Sequence, residues 1–299
     1  MQNPSELYRL ESEAPLEQRP GVLVGALAGY IDAGHLTQVL ARHLLATGRP
    51  EVIATFDVDQ LLDYRGRRPA MVFDTDHYAS YEYPSLILYR LTDREGQTYY
   101  LLDGPEPDYQ WERMSEAVRQ LMDAVGATTL VSAHGIPMGV PHTRPLGMTV
   151  HGTDVSLTGG AKSRFGKVQI PANFLALLEL RLGEAGRPAV GYAVHVPHYL
   201  SGVEFSEGAL AGLTAIAGAT GLNLSNDALV SAAGNDALQI TAQLNDNEEI
   251  RAVVHALEQQ YDAFVASQER PSLLATESVE LPSADELGAE LEEFLRTMS

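Results

Sequence analysis

The chain has 299 residues, of which 45% are hydrophobic and 20% are charged, and its formal net charge is −20. These proportions suit a globular protein of one large or two small domains and exclude wholesale disorder, while the excess of acids disfavours binding to duplex nucleic acid, which needs clustered Lys and Arg. No uninterrupted apolar run reaches the length of about 18 residues that predicts a membrane span, and the lack of cysteine excludes thiol catalysis, disulfides and Cys-ligated zinc and fits a cytoplasmic protein.

The first predicted elements form a β-α-β unit. Residues 1–20 are polar and acidic and lack the apolar centre of a secretory signal, so we expect an N-terminal arm there. Gly21 to Leu27 is apolar without polar alternation, which is typical of a strand buried on both faces of a parallel sheet. Asp32 is placed to cap a helix from Ala33 to Thr47, and Glu51 to Phe56 is the next predicted strand.

The following segment predicts an antiparallel pair inside this α/β chain. Met71 to Asp74 is a candidate short strand. Leu86 to Leu91 and Gln97 to Leu102 flank a glycine-containing turn, and this spacing predicts a hairpin. Tyr109 to Val125 carries apolar residues at helical spacing, and Thr128 to Ala133 is another strand of the buried type. The sheet is therefore expected to be mixed.

A long irregular segment, residues 134–171, is rich in Gly, Pro, His and Thr and contains a candidate short strand at Met148 to His151. Loops of this length are usually functional or disordered, and this composition favours an ordered one. A helix at Phe174 to Arg181, a strand at Ala189 to Val196 and a small-residue helix at Phe205 to Ala219 follow.

No strand is predicted after Gly221. Asn226 and Asp236 are candidate helix caps, and a last acidic amphipathic helix is predicted at Ala284 to Arg296. The region holds 15 acids and three bases, which indicates either a solvated, solubilising face or a docking surface for a basic partner. The predicted fold is an α/β sheet domain, mostly parallel, with an added helical segment. Its parts are an arm at 1–20, the α/β domain at 21–220 and the acidic helical region at 221–299.

Glycines after the first strand invite comparison with nucleotide sites. Gly25, Gly29 and Gly34 do not have the dinucleotide-binding spacing, and no Gly-Lys-Ser/Thr follows, so a P-loop is excluded. A helix N-terminus at this turn could still hold an anion, although Asp32 competes for the same N–H groups. Plain turn geometry is the alternative.

Histidines gather after two predicted strand ends, and the carboxyl ends of parallel strands meet at one edge of a sheet. No H-E-x-x-H motif occurs and no carboxylate stands at ligand spacing, so neither a metal nor a catalytic residue nor a cofactor is assigned. A polar ligand pocket and scattered structural histidines both stay open. The candidate pocket residues are Asp32, His134, His142, Thr143, Arg144, His151, Asn173, His195 and His198.

Arg65, Arg67 and Arg68 form a basic loop in an acidic protein. The loop is either a solvated turn whose arginines pair with the protein's own acids, or a contact for another subunit or an anion.

Three segments together resemble the PAC2 family, named for a proteasome assembly chaperone, and most of all its actinobacterial branch. They are GALAGYIDAG after the start of the first strand, LLDGPEPD at 101–108 running on to Trp111, and VSAHGIP at 131–137. The resemblance covers roughly residues 20–220. It implies a three-layer phosphorylase/hydrolase-like core, C-terminal helices as an extra segment, and a homo-oligomer for which a trimer is the plausible state. It implies no established catalytic activity.

One departure concerns the tail by which eukaryotic chaperones of this type dock on proteasome rings. That tail ends in hydrophobic-Tyr-X, whereas this sequence ends in FLRTMS, so docking of that kind is not expected. The leading hypothesis is a non-enzymatic binding or assembly protein that self-associates and has a protein partner, without nucleic acid or membrane. The alternatives are a nucleoside- or nucleotide-directed hydrolase or phosphorylase using the histidine-rich loops, and a purely structural oligomer organised by the acidic helices.

Overall fold

A mixed eight-stranded sheet forms the centre of the molecule. The computed structural model describes residues 2–11, 16, 18–159, 166–246 and 248–269. These residues include ten strands: β1 (Tyr8–Leu10), β2 (Gly21–Ala28), β3 (Glu51–Phe56), β4 (Met71–Asp74), β5 (His77–Tyr81), β6 (Ile87–Thr92), β7 (Thr98–Pro105), β8 (Ala127–Met138), β9 (Met148–Gly152) and β10 (Ala189–Pro197). Eight of them form one sheet in the order β1-β3-β6-β7-β2-β8-β10-β9, and β4 and β5 pair with each other.

The sheet is mostly parallel in direction, as predicted. β7, β2, β8 and β10 are parallel neighbours at its centre. β3 runs in the same direction, because two antiparallel pairings, through β6, separate it from β7. The strands that run the other way are β6 and the two edge strands, β1 and β9. The hairpin predicted from the turn between β6 and β7 is confirmed.

Helices cover both faces of this sheet. The helices are α1 (Leu36–Thr47), α2 (Trp111–Val125), α3 (Phe174–Glu184), α4 (Ser206–Thr220), α5 (Asp227–Asp246) and α6 (Glu248–Glu269). One core cluster joins α2 and α3 to one sheet face, and a second joins α1 and α4 to the other. The predicted stripe of α2 is buried at Met114, Val118 and Leu121, as expected for the inner face of an amphipathic helix. The three-layer α/β architecture is therefore confirmed.

Several local features differ from the predictions. β1 pairs with β3 inside the segment expected to be an arm, because its three residues are too few to give a strand signal. β5 was not predicted, because both of its faces are exposed and its residues show no apolar alternation. β8 continues five residues past Ala133. Asp236 lies inside α5 instead of before a helix, and its carboxylate accepts a hydrogen bond from Ser206 N at the start of α4 (2.8 Å).

By its internal contacts the chain divides into two units, Met1–Glu258 and Gln259–Ser299. The three-part division made from the sequence stays a prediction. The final helix expected at 284–296 lies outside the described residues. None of the described helices combines the length and the apolar character that crossing a bilayer requires.

Candidate functional site

The predicted pocket residues sit around the edge of the sheet where β2, β7, β8 and β10 end, but they divide into separate groups. Three of the histidines share one sheet face. His134 of β8 is in register with Ala193 of β10, and Ala193 is in register with Thr149 of β9. His151 and His195 lie two residues along their strands from Thr149 and Ala193, so their side chains point to the same side as His134.

We call this group, with Thr149 and Glu179, the histidine face. The His195 Nε2 and Thr149 Oγ1 atoms are 2.9 Å apart. The His134 and His151 ring centroids are 6.3 Å apart. A side chain at Gly191 would place Cβ 2.1 Å from His151 Cε1, so the imidazole of His151 lies directly over that glycine. The structure therefore places three of the predicted histidines on one sheet face.

His151 is oriented by a carboxylate from helix α3. Its Nδ1 lies 2.9 Å and 3.0 Å from the two carboxylate oxygens of Glu179. A carboxylate at Nδ1 makes that nitrogen the donor, so the neutral ring keeps Nε2 as a hydrogen-bond acceptor. Sequence spacing did not point to Glu179, because it reaches His151 from a different element, 28 residues further along.

His134 is held in its neutral form. Burial and, to a lesser extent, the neighbouring His151 together lower the pKa of His134 to about 4. An imidazole with this pKa is uncharged at neutral pH, so one ring nitrogen can donate a hydrogen bond to a polar group and the other can accept one.

His142 and His198 belong to a second group around Tyr199. The backbone N–H of His142 donates to Tyr199 Oη at 2.8 Å, and His142 Nδ1 lies 2.7 Å from the same oxygen. The His198 and Tyr199 rings are 5.5 Å apart. Burial lowers the pKa of His142, so this ring also favours its neutral form. These contacts fix the loop after β8 against the turn after β10.

Thr143 and Arg144 turn towards helix α6. Thr143 Oγ1 donates a hydrogen bond to Glu258, and Arg144 Nη1 lies 3.4 Å from the same carboxylate. The hydrogen bond from Thr143 is the main cause that lowers the pKa of Glu258. The structure thus gives both residues intramolecular partners in place of the predicted pocket.

Asp32 and Asn173 serve helix ends. Asp32 Oδ1 accepts from Thr37 N (2.8 Å) and Thr37 Oγ1 (2.7 Å) at the start of α1, and burial raises the pKa of Asp32. Helix α1 packs on the sheet face opposite the three histidines. Asn173 Oδ1 accepts from Ala176 N (2.8 Å) and is the N-cap of α3.

Glu106 is a buried carboxylate at this edge that sequence reasoning missed. It is 5% exposed, its Oε1 accepts from Phe174 N (2.6 Å), and its Oε2 accepts from Tyr30 N (3.1 Å). A Cβ at Gly29 would lie 2.4 Å from Glu106 Oε2, so the glycine admits the carboxylate. We call this arrangement the Glu106 clasp. The signal in the sequence was a glutamate between two prolines directly after a strand.

The histidine face can form hydrogen bonds with a polar group. Across the residues that the structure describes, no cluster of three or more His, Cys, Asp or Glu side chains has a metal-binding arrangement.

Known proteins share this fold. The model of the PAC2 family matches residues 26–244. A crystal structure of an unknown-function protein from Mycobacterium tuberculosis is 41% identical, with a TM-score of 0.84, over 88% of this chain and 91% of that one. An unknown-function protein from Corynebacterium glutamicum is 35% identical, with a TM-score of 0.82, over 88% and 99%.

A more distant similarity is limited to the fold. The M. tuberculosis proteasome-assembly chaperone homologue is 21% identical, with a TM-score of 0.71, over 78% of this chain and 99% of that one. No functionally curated protein matches the chain.

Proposed function

The chain belongs to the PAC2 family, and from this premise we propose that it is a cytoplasmic, non-enzymatic protein that self-associates and binds or assembles a protein partner. The name of the M. tuberculosis proteasome-assembly chaperone homologue motivates the assembly part of the proposal. The net charge of −20 argues against nucleic acid and favours a protein partner.

The observation that carries the proposal is the separate hairpin of β4 and β5. Every residue in its two strands is exposed. Phe73 and Tyr78 are 59% and 72% exposed and pack against each other with ring centroids 5.3 Å apart. Met71, Val72, Tyr81 and Tyr83 are exposed as well. Monomeric soluble proteins seldom expose a contiguous apolar patch of this kind to solvent, and the larger patches mark interaction surfaces.

The hairpin also needs a partner for its own stability. An isolated two-stranded hairpin is marginal in water, because it lacks a third strand or a helix to cover a face. Both of its faces are open among the residues that the structure describes, so a second surface is needed to supply the burial that this described part of the chain does not. A second copy of the chain is always present in a solution of the protein, so self-association is the simplest way to bury the hairpin. We propose a trimer, the state that the family resemblance implies.

Sedimentation velocity tests this proposal over a range of protein concentrations. We expect the wild-type protein to sediment as three chains and Tyr78→Asp to shift towards the mass of one chain, because a carboxylate would be buried in the contact. Tyr30→Asp is the matched control, because Tyr30 is equally exposed (73%) but lies outside the hairpin. Retention of the oligomer is expected for this control.

Wild-type protein that sediments as one chain at every concentration would refute self-association. Equal dissociation by Tyr30→Asp and Tyr78→Asp would remove the hairpin as its cause. The polar ligand pocket predicted from the histidines stays a separate prediction, since the proposal does not depend on it.

A further inference from the structure

A cleft of about 800 Å³ lies at the carboxyl ends of β2 and β7, away from the histidine face. Helix α1 forms one wall with Gln38 and Arg42, and the loop before β4 forms the other with Arg67 and Arg68. We call this space the arginine cleft. Its volume falls within the range of about 300–1,000 Å³ that is usual for small-molecule sites.

The position of the cleft is the place where open α/β sheets bind ligands. The chain leaves β2 through α1 on one face of the sheet and leaves β7 through α2 on the other face. Neighbouring strands whose connections depart to opposite faces leave a crevice outside their carboxyl ends. Ala28 of β2 and Gly104 of β7 line the cleft at this point.

Two of the three arginines are held in place and keep free donors. Arg42 uses Nη1 and Nη2 on the carboxylate of Glu204, at 3.0 Å and 2.7 Å. Arg67 donates from Nη1 to Glu106 O (2.8 Å), and its Nη2 lies 2.9 Å from Asp108. A guanidinium has five N–H donors, so each of these arginines retains donors for a ligand while its position is fixed.

Three guanidinium groups are an unusual concentration in this protein, whose 299 residues include only 20 Lys and Arg against 40 acids. Asp103 and Glu82 also line the cleft. Burial raises the pKa of the Asp103 carboxyl. Guanidinium groups recognise phosphate oxygens through paired hydrogen bonds, which suits a phosphate better than a monovalent ion.

The remaining lining suits a flat apolar group. Ala41 and Leu45 of α1 face the cleft together with Leu62, and Tyr83 at its rim is 57% exposed. An exposed aromatic ring beside arginines offers stacking for a planar group. Pro69 and Pro84 also line the cleft and fix the backbone of the loop wall, so little ordering is needed on binding.

We propose that the arginine cleft binds a phosphate ester carrying a planar apolar group, of about the size of a nucleoside monophosphate. Arg42 and Arg67 hold the phosphate from two sides, and Arg68 closes over it from the rim. The cleft adjoins the hairpin and shares the exposed Tyr83 with its apolar patch, and the proposal goes beyond the proposed function.

Isothermal titration calorimetry with adenosine 5′-monophosphate, adenosine and inorganic phosphate tests this site. We expect the monophosphate to bind the wild-type protein and adenosine to bind at least about tenfold more weakly, because it lacks the charged acceptor. Arg68→Gln and Arg42→Gln should each weaken the monophosphate about tenfold. Arg9→Gln makes the same charge change on the exposed strand β1 and should leave binding unchanged.

Three results would overturn the site: no binding of the monophosphate at millimolar concentration, equal binding of adenosine and the monophosphate, or equal weakening by Arg9→Gln and Arg68→Gln. Sedimentation of the same samples separates this outcome from the proposed function. Loss of ligand binding with an unchanged oligomer concerns the cleft alone, and loss of the oligomer with intact binding concerns the hairpin alone.

Discussion

The Glu106 clasp and the β4–β5 hairpin differ in the side chains that they bury. The clasp buries a charged side chain, whereas the hairpin exposes apolar ones. The clasp buries a carboxylate and satisfies it with two backbone N–H groups, from Tyr30 and Phe174. The hairpin leaves large apolar side chains such as Phe73 and Tyr78 in water, where the two rings pack against each other.

This contrast implies that the clasp contributes to the stability of the folded single chain and the hairpin to the association of chains. A buried charge is tolerated only where its hydrogen bonds are complete, so the clasp must contribute to folding of the single chain. Exposed apolar area contributes nothing to that folding and becomes favourable only when another surface covers it. Substitutions can test this difference between folding and association, from the largest expected effect on the free energy of unfolding to the smallest.

Glu106→Gln should have the largest effect, a loss of about 3 kcal/mol in the free energy of unfolding. The amide removes the charge and turns an NH₂ group towards one of the two backbone donors, which leaves a buried N–H without an acceptor. Urea unfolding followed by circular dichroism at one fixed protein concentration measures this loss.

Glu112→Gln is the matched control for that prediction. Glu112 pairs with Arg181 on the surface and is about half-exposed, so its loss should cost less than about 1 kcal/mol. Equal effects of the two substitutions would contradict a structural role for the clasp.

Gly135→Ala should cost about 2–3 kcal/mol, because a Cβ at Gly135 would lie 2.0 Å from Ala33 O and the turn after β2 would have to shift. Gly139→Ala, four residues further along, meets only Leu257 Cδ2 at 3.8 Å and should be nearly neutral. Chemical denaturation of the two variants compares them. Near-identical midpoints would mean that the turn is not tightly packed on β8.

His134 should make the fold sensitive to acid. Its folded pKa of about 4 is below the ordinary 6.5, so the unfolded chain takes up the proton first and stability falls as the pH drops below 6.5. From pH 7.5 to pH 5 this amounts to about 2 kcal/mol.

His134→Gln should remove that part of the pH dependence, and His198→Gln, at an exposed histidine, should retain it. The measurement is the free energy of unfolding of each variant at the two pH values, and the change between them is compared with that of the wild-type protein. A wild-type slope preserved in His134→Gln would contradict the burial of a neutral ring.

Phe73→Ser should have the smallest effect on the unfolding of the dissociated chain, below about 0.5 kcal/mol, because this side chain is 59% exposed. The measurement is urea unfolding at a concentration where the wild-type protein is a single chain. A large loss there would mean that the hairpin belongs to the core and would break the comparison.

The sequence predicted the central architecture because its strands carry strong local signals. The apolar run from Gly21 and the one around Val131 are typical of strands buried on both faces, and the structure places both at the sheet centre. β5 gave no such signal, since neither of its faces is buried and its residues therefore follow no apolar alternation.

The candidate site could be predicted only in part. The ends of β8 and β10 meet because they are parallel neighbours, which brings His134 and His195 to one face. His198 falls in the turn beyond β10, where strand alternation no longer governs the side chain, and it joins Tyr199. The partners of Glu106 lie 76 and 68 residues away in sequence, a distance at which local patterns carry no information.

Amide hydrogen exchange of the hairpin at low and high protein concentration tests the central claim most directly. The strands at the centre of the sheet should be protected at both concentrations, because their hydrogen bonds lie within the folded chain. Amides of residues 71–81 should exchange rapidly when the chains are dissociated and become protected as they associate. Rapid exchange of these amides in the concentrated, associated protein would contradict the claim that the hairpin is the surface through which the chains assemble.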